Sequence, residues 1–123
     1  MKEIIRMLMV YGYMKCSTCR KAIKWLDEAG CTYEFIDITT DPPSEAVLKK
    51  LLKKGDYGLK QLFNTSGVLY REMKMKEKVG GMNEGEAVKL LSSEGKLVKR
   101  PIVTDGKDFS VGFKEDVFKA KWV

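Results

Sequence analysis

Residues 7–30 have the sequence MLMVYGYMKCSTCRKAIKWLDEAG, which contains a complete transition from a first strand to a first helix. Residues 7–11 form a short apolar run that ends at Gly12, as is typical of a strand buried on both faces. Apolar side chains then recur at the spacing of one helix face, and Gly30 is placed to cap the C-terminus of that helix. These apolar residues are Ala22, Ile23, Trp25, Leu26 and Ala29.

The remainder of the chain predicts further strands and a helical middle. Residues 31–38 are rich in β-branched and aromatic side chains and predict a second strand, which a right-handed crossover would set parallel to the first. Residues 44–95 have helical spacing, with Ser44 as one N-cap, Asn83 as another and Gly95 as the end of the helix that Asn83 begins. Two short strand patterns flank Asp105-Gly106 and predict a hairpin, and a final helix follows. We therefore expect an α/β fold of order β-α-β, helical insertion, β-β-α.

The length and composition indicate one globular domain. The chain has 123 residues, 44% of them hydrophobic and 33% charged, which suits one domain over residues 1–123 with a helical insertion at about 44–95. No window approaches the ~18 apolar residues of a membrane span. The first six residues do not resemble a signal peptide, and we expect them to be a short leader before the domain.

The absence of histidine limits the chemistry that this chain can perform. With no histidine, a Ser-His-Asp or Cys-His site is excluded, and no imidazole can bind a metal. The three cysteines are an odd number and too few for a secreted disulfide framework, so we expect a reducing, cytoplasmic location.

The motif Cys16-Ser17-Thr18-Cys19 lies between the first strand and the first helix. The unpaired N–H groups at a helix N-terminus favour a negative group, and Lys15, Arg20 and Lys21 add positive charge nearby. We therefore predict that the pKa of Cys16 lies below the free value of ~8.5, which makes its thiolate a nucleophile. Cys19, one turn further on, would be the more buried, resolving thiol.

Other interpretations of the cysteines remain open. CxxC can be half of a zinc site, but zinc requires four ligands and only Cys31 remains, so we predict no metal. Cys16 and Cys19 could also be two inert, buried thiols. Cys31 opens the second predicted strand and is most simply a core residue.

Four segments together resemble the ArsC/Spx family, a thioredoxin-fold group with a helical insertion after the second strand. The segments are YGYMKCSTCRKA at residues 11–22, FNTSG at 63–67, RPI at 100–102 and VGFKE at 111–115. The resemblance implies a thioredoxin-like fold over nearly the whole chain, in agreement with the order of the predicted elements.

The resemblance also implies roles for individual residues. In the arsenate reductases of this family, the cysteine matching Cys16 attacks arsenate, and an arginine matching Arg100 holds the oxyanion. A guanidinium at Arg100 could equally stabilise a Cys16 thiolate, with Lys15 and Ser17 as further stabilising residues, or it could be a solvated charge at a strand end. Pro101 would then face the active-site loop, with a peptide bond that can adopt the cis form.

Two departures from the reductase pattern argue against arsenate. Reductases carry an arginine where this chain has Asn64, and another where it has Gly112-Phe113. A second cysteine in the position of Cys19 is the arrangement of the Spx-like branch.

The leading hypothesis is thus a thiol–disulfide oxidoreductase without a bound cofactor, which receives electrons from thioredoxin, glutaredoxin or glutathione. The alternatives are an Spx-like redox-sensing regulator that acts through RNA polymerase, and an arsenate reductase. The formal net charge is +6, but lysines are interspersed with acids at residues 74–78 and 114–115, so we expect no direct nucleic-acid partner and no membrane partner.

Overall fold

The computed structural model describes residues 7–123, so the leader predicted at residues 1–6 lies outside the described residues. The chain forms two compact units. The first unit holds the residues up to Ile36 together with Arg100–Val123, and the second unit is Asp37–Lys99. The helical insertion that we predicted at about 44–95 falls within the second unit. That the whole chain is a single domain stays a prediction.

The first unit is built on a four-stranded sheet with the strand order β2-β1-β3-β4. Strand β3 is antiparallel to both β1 and β4, with Val103 opposite Val10 on one side and Ser110 on the other. The helix α1 connects β1 to β2, and α6 follows β4. The bounds are β1 Met7–Gly12, α1 Ser17–Glu28, β2 Thr32–Asp37, β3 Ile102–Thr104, β4 Phe109–Val111 and α6 Glu115–Trp122. The predicted mixed α/β class with β-α-β and β-β-α segments is confirmed.

The core of the first unit lies between the sheet and its helices. Burial of aliphatic and aromatic side chains stabilises this packing, at roughly 1.5–3 kcal/mol for each large side chain. The indole N–H of Trp122 donates a hydrogen bond of 3.1 Å to Ser110 Oγ, which satisfies both buried polar groups. The buried cluster is Leu8, Val10, Ala22, Leu26, Val103, Phe118 and Trp122.

The end of α1 follows the prediction made from Gly30. Gly30 has a φ of +75°, in the left-handed region that glycine adopts without strain. Its N–H donates to the carbonyl of Asp27, and the N–H of Cys31 donates to the carbonyl of Leu26. These two bonds form a Schellman motif, which ends the helix and directs the chain into β2.

The second unit is helical, as predicted. Ser44 Oγ accepts the N–H of Val47 at the start of α2, and Asn83 forms a reciprocal capping box with Glu86 at the start of α5. Helices α2 and α5 pack against each other. The bounds are α2 Glu45–Lys54, α3 Val68–Glu72, α4 Met75–Lys78 and α5 Glu84–Ser93, with 3₁₀ turns at Leu59–Leu62, Val79–Gly81 and Gly95–Leu97. Among the described residues, no helix combines the length and apolarity needed to cross a membrane.

Gly95 has a different role from the helix end expected at the sequence level. Helix α5 ends at Ser93, and Gly95 opens the following 3₁₀ turn. A Cβ atom at Gly95 would overlap the backbone carbonyl oxygen of Ile38. The position requires glycine because two backbone segments approach closely there.

Candidate functional site

The CxxC loop is held by short-range hydrogen bonds between β1 and α1. Cys16 is the N-cap of α1, with an extended backbone conformation, so the motif lies at the N-terminus of this helix as predicted. Its N–H donates to the carbonyl of Tyr13 at 2.9 Å, which closes a turn. The guanidinium of Arg20 donates to the carbonyl of Met14 at 2.9 Å. Both bonds fix the backbone that presents Cys16.

Cys16 is half-buried and lies among groups that favour its thiolate. Burial raises the pKa of this thiol, but the nearby Cys19 backbone N–H, the Cys19 thiol and the Thr18 backbone N–H lower it. The positive charge of Arg100 also lowers the pKa. The net pKa of Cys16 is below the ordinary value of a cysteine. The backbone N–H groups at the N-terminus of α1 thus help to stabilise the Cys16 thiolate without a histidine base.

Cys19 is fully buried, and its pKa is shifted in the opposite direction from the pKa of Cys16. Burial, followed by the neighbouring charge of Cys16, raises the pKa of Cys19 to about 12, although a hydrogen bond from the Tyr13 N–H acts to lower it. That bond is 3.4 Å long. A Cβ atom at Gly12 would lie 3.2 Å from Cys19 Sγ and 3.1 Å from the Phe35 ring, so Gly12 packs directly against the sulfur. Cys19 is thus a shielded thiol.

Arg100 precedes β3 and lies in the same unit as both cysteines. Its Nη1 atom is buried and has no hydrogen-bond partner among the described residues. Its guanidinium carbon lies 5.5 Å from the centroid of the Tyr13 ring, within cation–π range. Pro101 is buried, and its peptide bond with Arg100 is cis. The carbonyl of Pro101 accepts the N–H of Gly112 at 2.9 Å.

The two other predicted thiolate-stabilising residues are on the surface. Lys15 is exposed at the end of the turn, and Ser17 is exposed as the first residue of α1. Neither side chain forms a hydrogen bond with Cys16 among the described residues. The groups that lower the pKa of Cys16 are therefore Arg100, the Cys19 thiol and the backbone N–H groups of Thr18 and Cys19.

The residues at the two positions where reductases carry arginine have structural contacts. Asn64 lies in the second unit, where its N–H donates to the carbonyl of Leu97 at 2.7 Å. Gly112 is buried with a φ of +80°. The ring of Phe113 packs edge-on against Phe118, with their centroids 4.8 Å apart.

The three cysteines are free thiols. Cys31 is half-buried, packs against the core of the first unit, and its thiol donates to the carbonyl of Trp122 at 3.5 Å. This agrees with the predicted core position of Cys31. Across residues 7–123, no group of three or more cysteine or carboxylate side chains could hold a metal ion.

Tyr13 is the site residue that the sequence analysis did not single out. It contacts Cys16 and Cys19 through its backbone and Arg100 through its ring. The sequence signal was an aromatic residue three positions before Cys16, but the partner of that ring depends on the pairing of β1 with β3.

Comparison with known proteins identifies related chains along almost the full length. The family model described as the ArsC family matches residues 11–121. YusI of Bacillus subtilis is 51% identical over 115 residues, which cover 94% of this chain and 98% of YusI. The global transcriptional regulator Spx of Streptococcus mutans is 30% identical, over 85% of this chain and 75% of that protein. A crystal structure of a possible arsenate reductase from Streptococcus mutans is 38% identical, covers 91% of this chain and 98% of its own, and superposes with a TM-score of 0.85.

Proposed function

The chain belongs to the ArsC family, and from this premise we propose that it is a thiol–disulfide oxidoreductase in which Cys16 attacks and Cys19 resolves. The observation that carries the proposal is the contrast between the two thiols of the motif. Cys16 is half-buried at a helix N-terminus with a lowered pKa, whereas Cys19 is fully buried with a pKa raised to about 12. An attacking thiol must be accessible and ionised, and a buried, protonated thiol does not compete with it for the substrate.

In the first step, the Cys16 thiolate attacks one sulfur of a substrate disulfide. A bond forms between Cys16 Sγ and that sulfur while the substrate S–S bond breaks, and the second substrate sulfur leaves as a thiolate that takes a proton from water. The product is a mixed disulfide. Arg100 stabilises the negative charge on Cys16 before the attack, because its charge lowers the pKa of that thiol.

In the second step, Cys19 displaces the substrate from Cys16. The charge of Cys16 contributes to the high pKa of Cys19, and this charge disappears when Cys16 enters the mixed disulfide. Cys19 then loses its proton to water more readily and attacks Cys16 Sγ. This attack forms the Cys16–Cys19 disulfide, and the substrate sulfur that was bound to Cys16 leaves as a thiolate. The substrate has gained two electrons, and thioredoxin, glutaredoxin or glutathione returns two electrons to the pair. Such reducing partners fit a cytoplasmic location.

Turnover of a peptide disulfide, with each reducing partner supplied in turn, tests the proposal. We expect Cys16→Ser to lower the rate at least about 100-fold, because serine is a poor nucleophile at neutral pH. Cys31→Ser is the matched control, and its rate should stay within about twofold of wild type since Cys31 lies outside the motif. Equal rates for wild type and Cys16→Ser would refute the proposed chemistry.

A second candidate function is that of an Spx-like regulator. The observation that favours it is the 30% identity to a global transcriptional regulator of the same family. In this function the Cys16–Cys19 pair switches between dithiol and disulfide and changes the binding of RNA polymerase. Pull-down of polymerase subunits under reducing and oxidising conditions tests this, since a regulator requires a partner whose binding depends on the redox state.

Arsenate reduction is a third candidate, and the observation that favours it is the 38% identity to a possible arsenate reductase. Asn64 and Gly112-Phe113 replace two arginines of the reductase pattern, so we expect weak oxyanion binding. Arsenate turnover with thioredoxin or glutaredoxin as the donor would support this function, and its absence would remove it.

A further inference from the structure

Tyr13 contacts both the loop that carries Cys16 and the segment that carries Arg100. Strands β1 and β3 are antiparallel, with Tyr11 opposite Ile102. Continued two residues beyond that pair, the register places Tyr13 opposite Arg100. The 5.5 Å separation between the ring centroid and the guanidinium carbon shows that the two side chains meet across this pairing.

The ring holds the arginine in a way that an acidic side chain could not. A guanidinium is planar, and its N–H donors point outward within that plane. An aromatic ring attracts the cation through its face, so the donors remain free for another negative group, whereas a carboxylate would occupy them. Arg100 Nη1 is buried and has no hydrogen-bond partner among the described residues, so its N–H groups can still donate to a negative group.

We propose that Tyr13 is a positioning residue whose ring holds the Arg100 guanidinium beside the Cys16–Cys19 pair. The inference rests on the proposed function, because it concerns the charge that prepares Cys16 for attack. The positive charge of Arg100 acts on both thiols and lowers the pKa of each. If the guanidinium moves away from the loop, this contribution falls with distance.

The backbone and the ring of Tyr13 have separable roles. The carbonyl of Tyr13 accepts the Cys16 N–H, and its own N–H donates to Cys19 Sγ. Both groups belong to the main chain and persist in any folded side-chain variant. Replacement of the side chain therefore tests the ring alone.

The test measures the pKa of Cys16 in the full-length, reduced protein. The rate of iodoacetamide alkylation is followed against pH, and the Cys16-containing peptide is quantified by mass spectrometry. Tyr13→Leu removes the ring, and we expect its Cys16 pKa to rise so that alkylation at pH 7 slows about three- to tenfold. Tyr13→Phe retains the ring, and its rate should stay within about twofold of wild type.

Arg100→Met is the background in which the effect of Tyr13→Leu is measured a second time. If the ring acts through Arg100, adding Tyr13→Leu to Arg100→Met should change the alkylation rate by less than about twofold. An equal effect of Tyr13→Leu with and without Arg100 would overturn the inference, as would an unchanged Cys16 pKa in folded Tyr13→Leu. If Tyr13→Leu does not fold, Tyr13→Met removes the ring at a similar volume, and the same outcomes apply.

The same variants distinguish this inference from the proposed function. If Arg100→Met leaves the Cys16 pKa unchanged, the thiolate-stabilising role of Arg100 is wrong, and the role of Tyr13 is wrong with it. If Arg100→Met raises the pKa but Tyr13→Leu does not, only the role of Tyr13 is wrong. Reduction of disulfides is measured separately and does not enter either comparison.

Discussion

Cys16 and Cys19 are three residues apart but occupy different environments. Cys16 is the N-cap of α1, where the nearby backbone N–H groups of Thr18 and Cys19 lower the pKa of its thiol. Cys19 is one turn into the helix and faces the interior, where Gly12 packs against its sulfur. The two thiols have different acidities because burial and the neighbouring charge of Cys16 raise the pKa of Cys19, whereas the N-terminal N–H groups of α1 lower the pKa of Cys16.

The pH dependence of alkylation should separate the two thiols. The pKa of Cys16 is lowered, so the midpoint of its alkylation profile should lie at a lower pH than that of an ordinary cysteine. The pKa of Cys19 is raised to about 12, so its rate should still be rising at pH ~10. Peptide mapping after a short iodoacetamide pulse measures both profiles. Coincident profiles for Cys16 and Cys19 would contradict these assignments.

At this scale the sequence predicted the residues whose role is set by local structure. A cysteine just before a helix start is an N-cap wherever the helix packs, and Cys19 one turn later falls near the buried stripe with Ala22 and Leu26. Tyr13 could not be assigned in this way. Its contact with Arg100 joins residues 87 positions apart and depends on the register of β1 with β3, which no local pattern specifies.

Helix ends followed local rules where side chains or left-handed glycines form the caps. Ser44, Asn83 and Gly30 acted as predicted, because each cap is satisfied within a few residues of the helix end. Gly95 did not, because the reason for glycine there is contact with Ile38, which is distant in sequence. The short helix α4 was not predicted, since a four-residue element has too little periodicity to detect.

Gly95→Ala should destabilise the second unit, whereas Gly80→Ala should not. The added methyl at Gly95 would overlap the Ile38 carbonyl, and we expect the free energy of unfolding to fall by about 2–3 kcal/mol. Gly80 is exposed, and a Cβ there meets nothing within 4 Å, so its change should stay within about 1 kcal/mol. Urea unfolding of both variants measures the difference. Equal stabilities would show that the close approach at Gly95 is not a constraint.

On the scale of the whole molecule, the sheet order explains why two segments distant in sequence lie side by side. Strand β3 pairs antiparallel with β1, so the residues that follow β1 lie beside the residues that precede β3. The CxxC loop follows β1, and the Arg100-Pro101 segment precedes β3. The element order was predictable from the sequence, but the central position of β1 and β3 in the sheet was not.

The net charge of +6 should not give the chain a specific affinity for nucleic acid. Specific binding requires a stripe of basic residues on one face, whereas the lysines here are interspersed with acids. We expect duplex DNA to bind no more tightly than about 10⁻⁶–10⁻⁴ M at physiological salt, which is the range of non-specific binding. Fluorescence anisotropy with a labelled duplex measures this, and a dissociation constant in the nanomolar range at that salt would contradict the prediction.

The most direct test of the central claim is to trap the mixed disulfide. Cys19→Ser should attack a peptide disulfide through Cys16 but fail to release it, so intact-mass measurement should find one substrate thiol bound per chain, mapped to Cys16. Wild type under the same conditions should instead lose two mass units as the Cys16–Cys19 disulfide forms, and Cys16→Ser should bind nothing at residue 16. If Cys19→Ser accumulates no adduct at Cys16, or if wild type accumulates a stable adduct and never forms the internal disulfide, the assignment of attacking and resolving thiols is wrong.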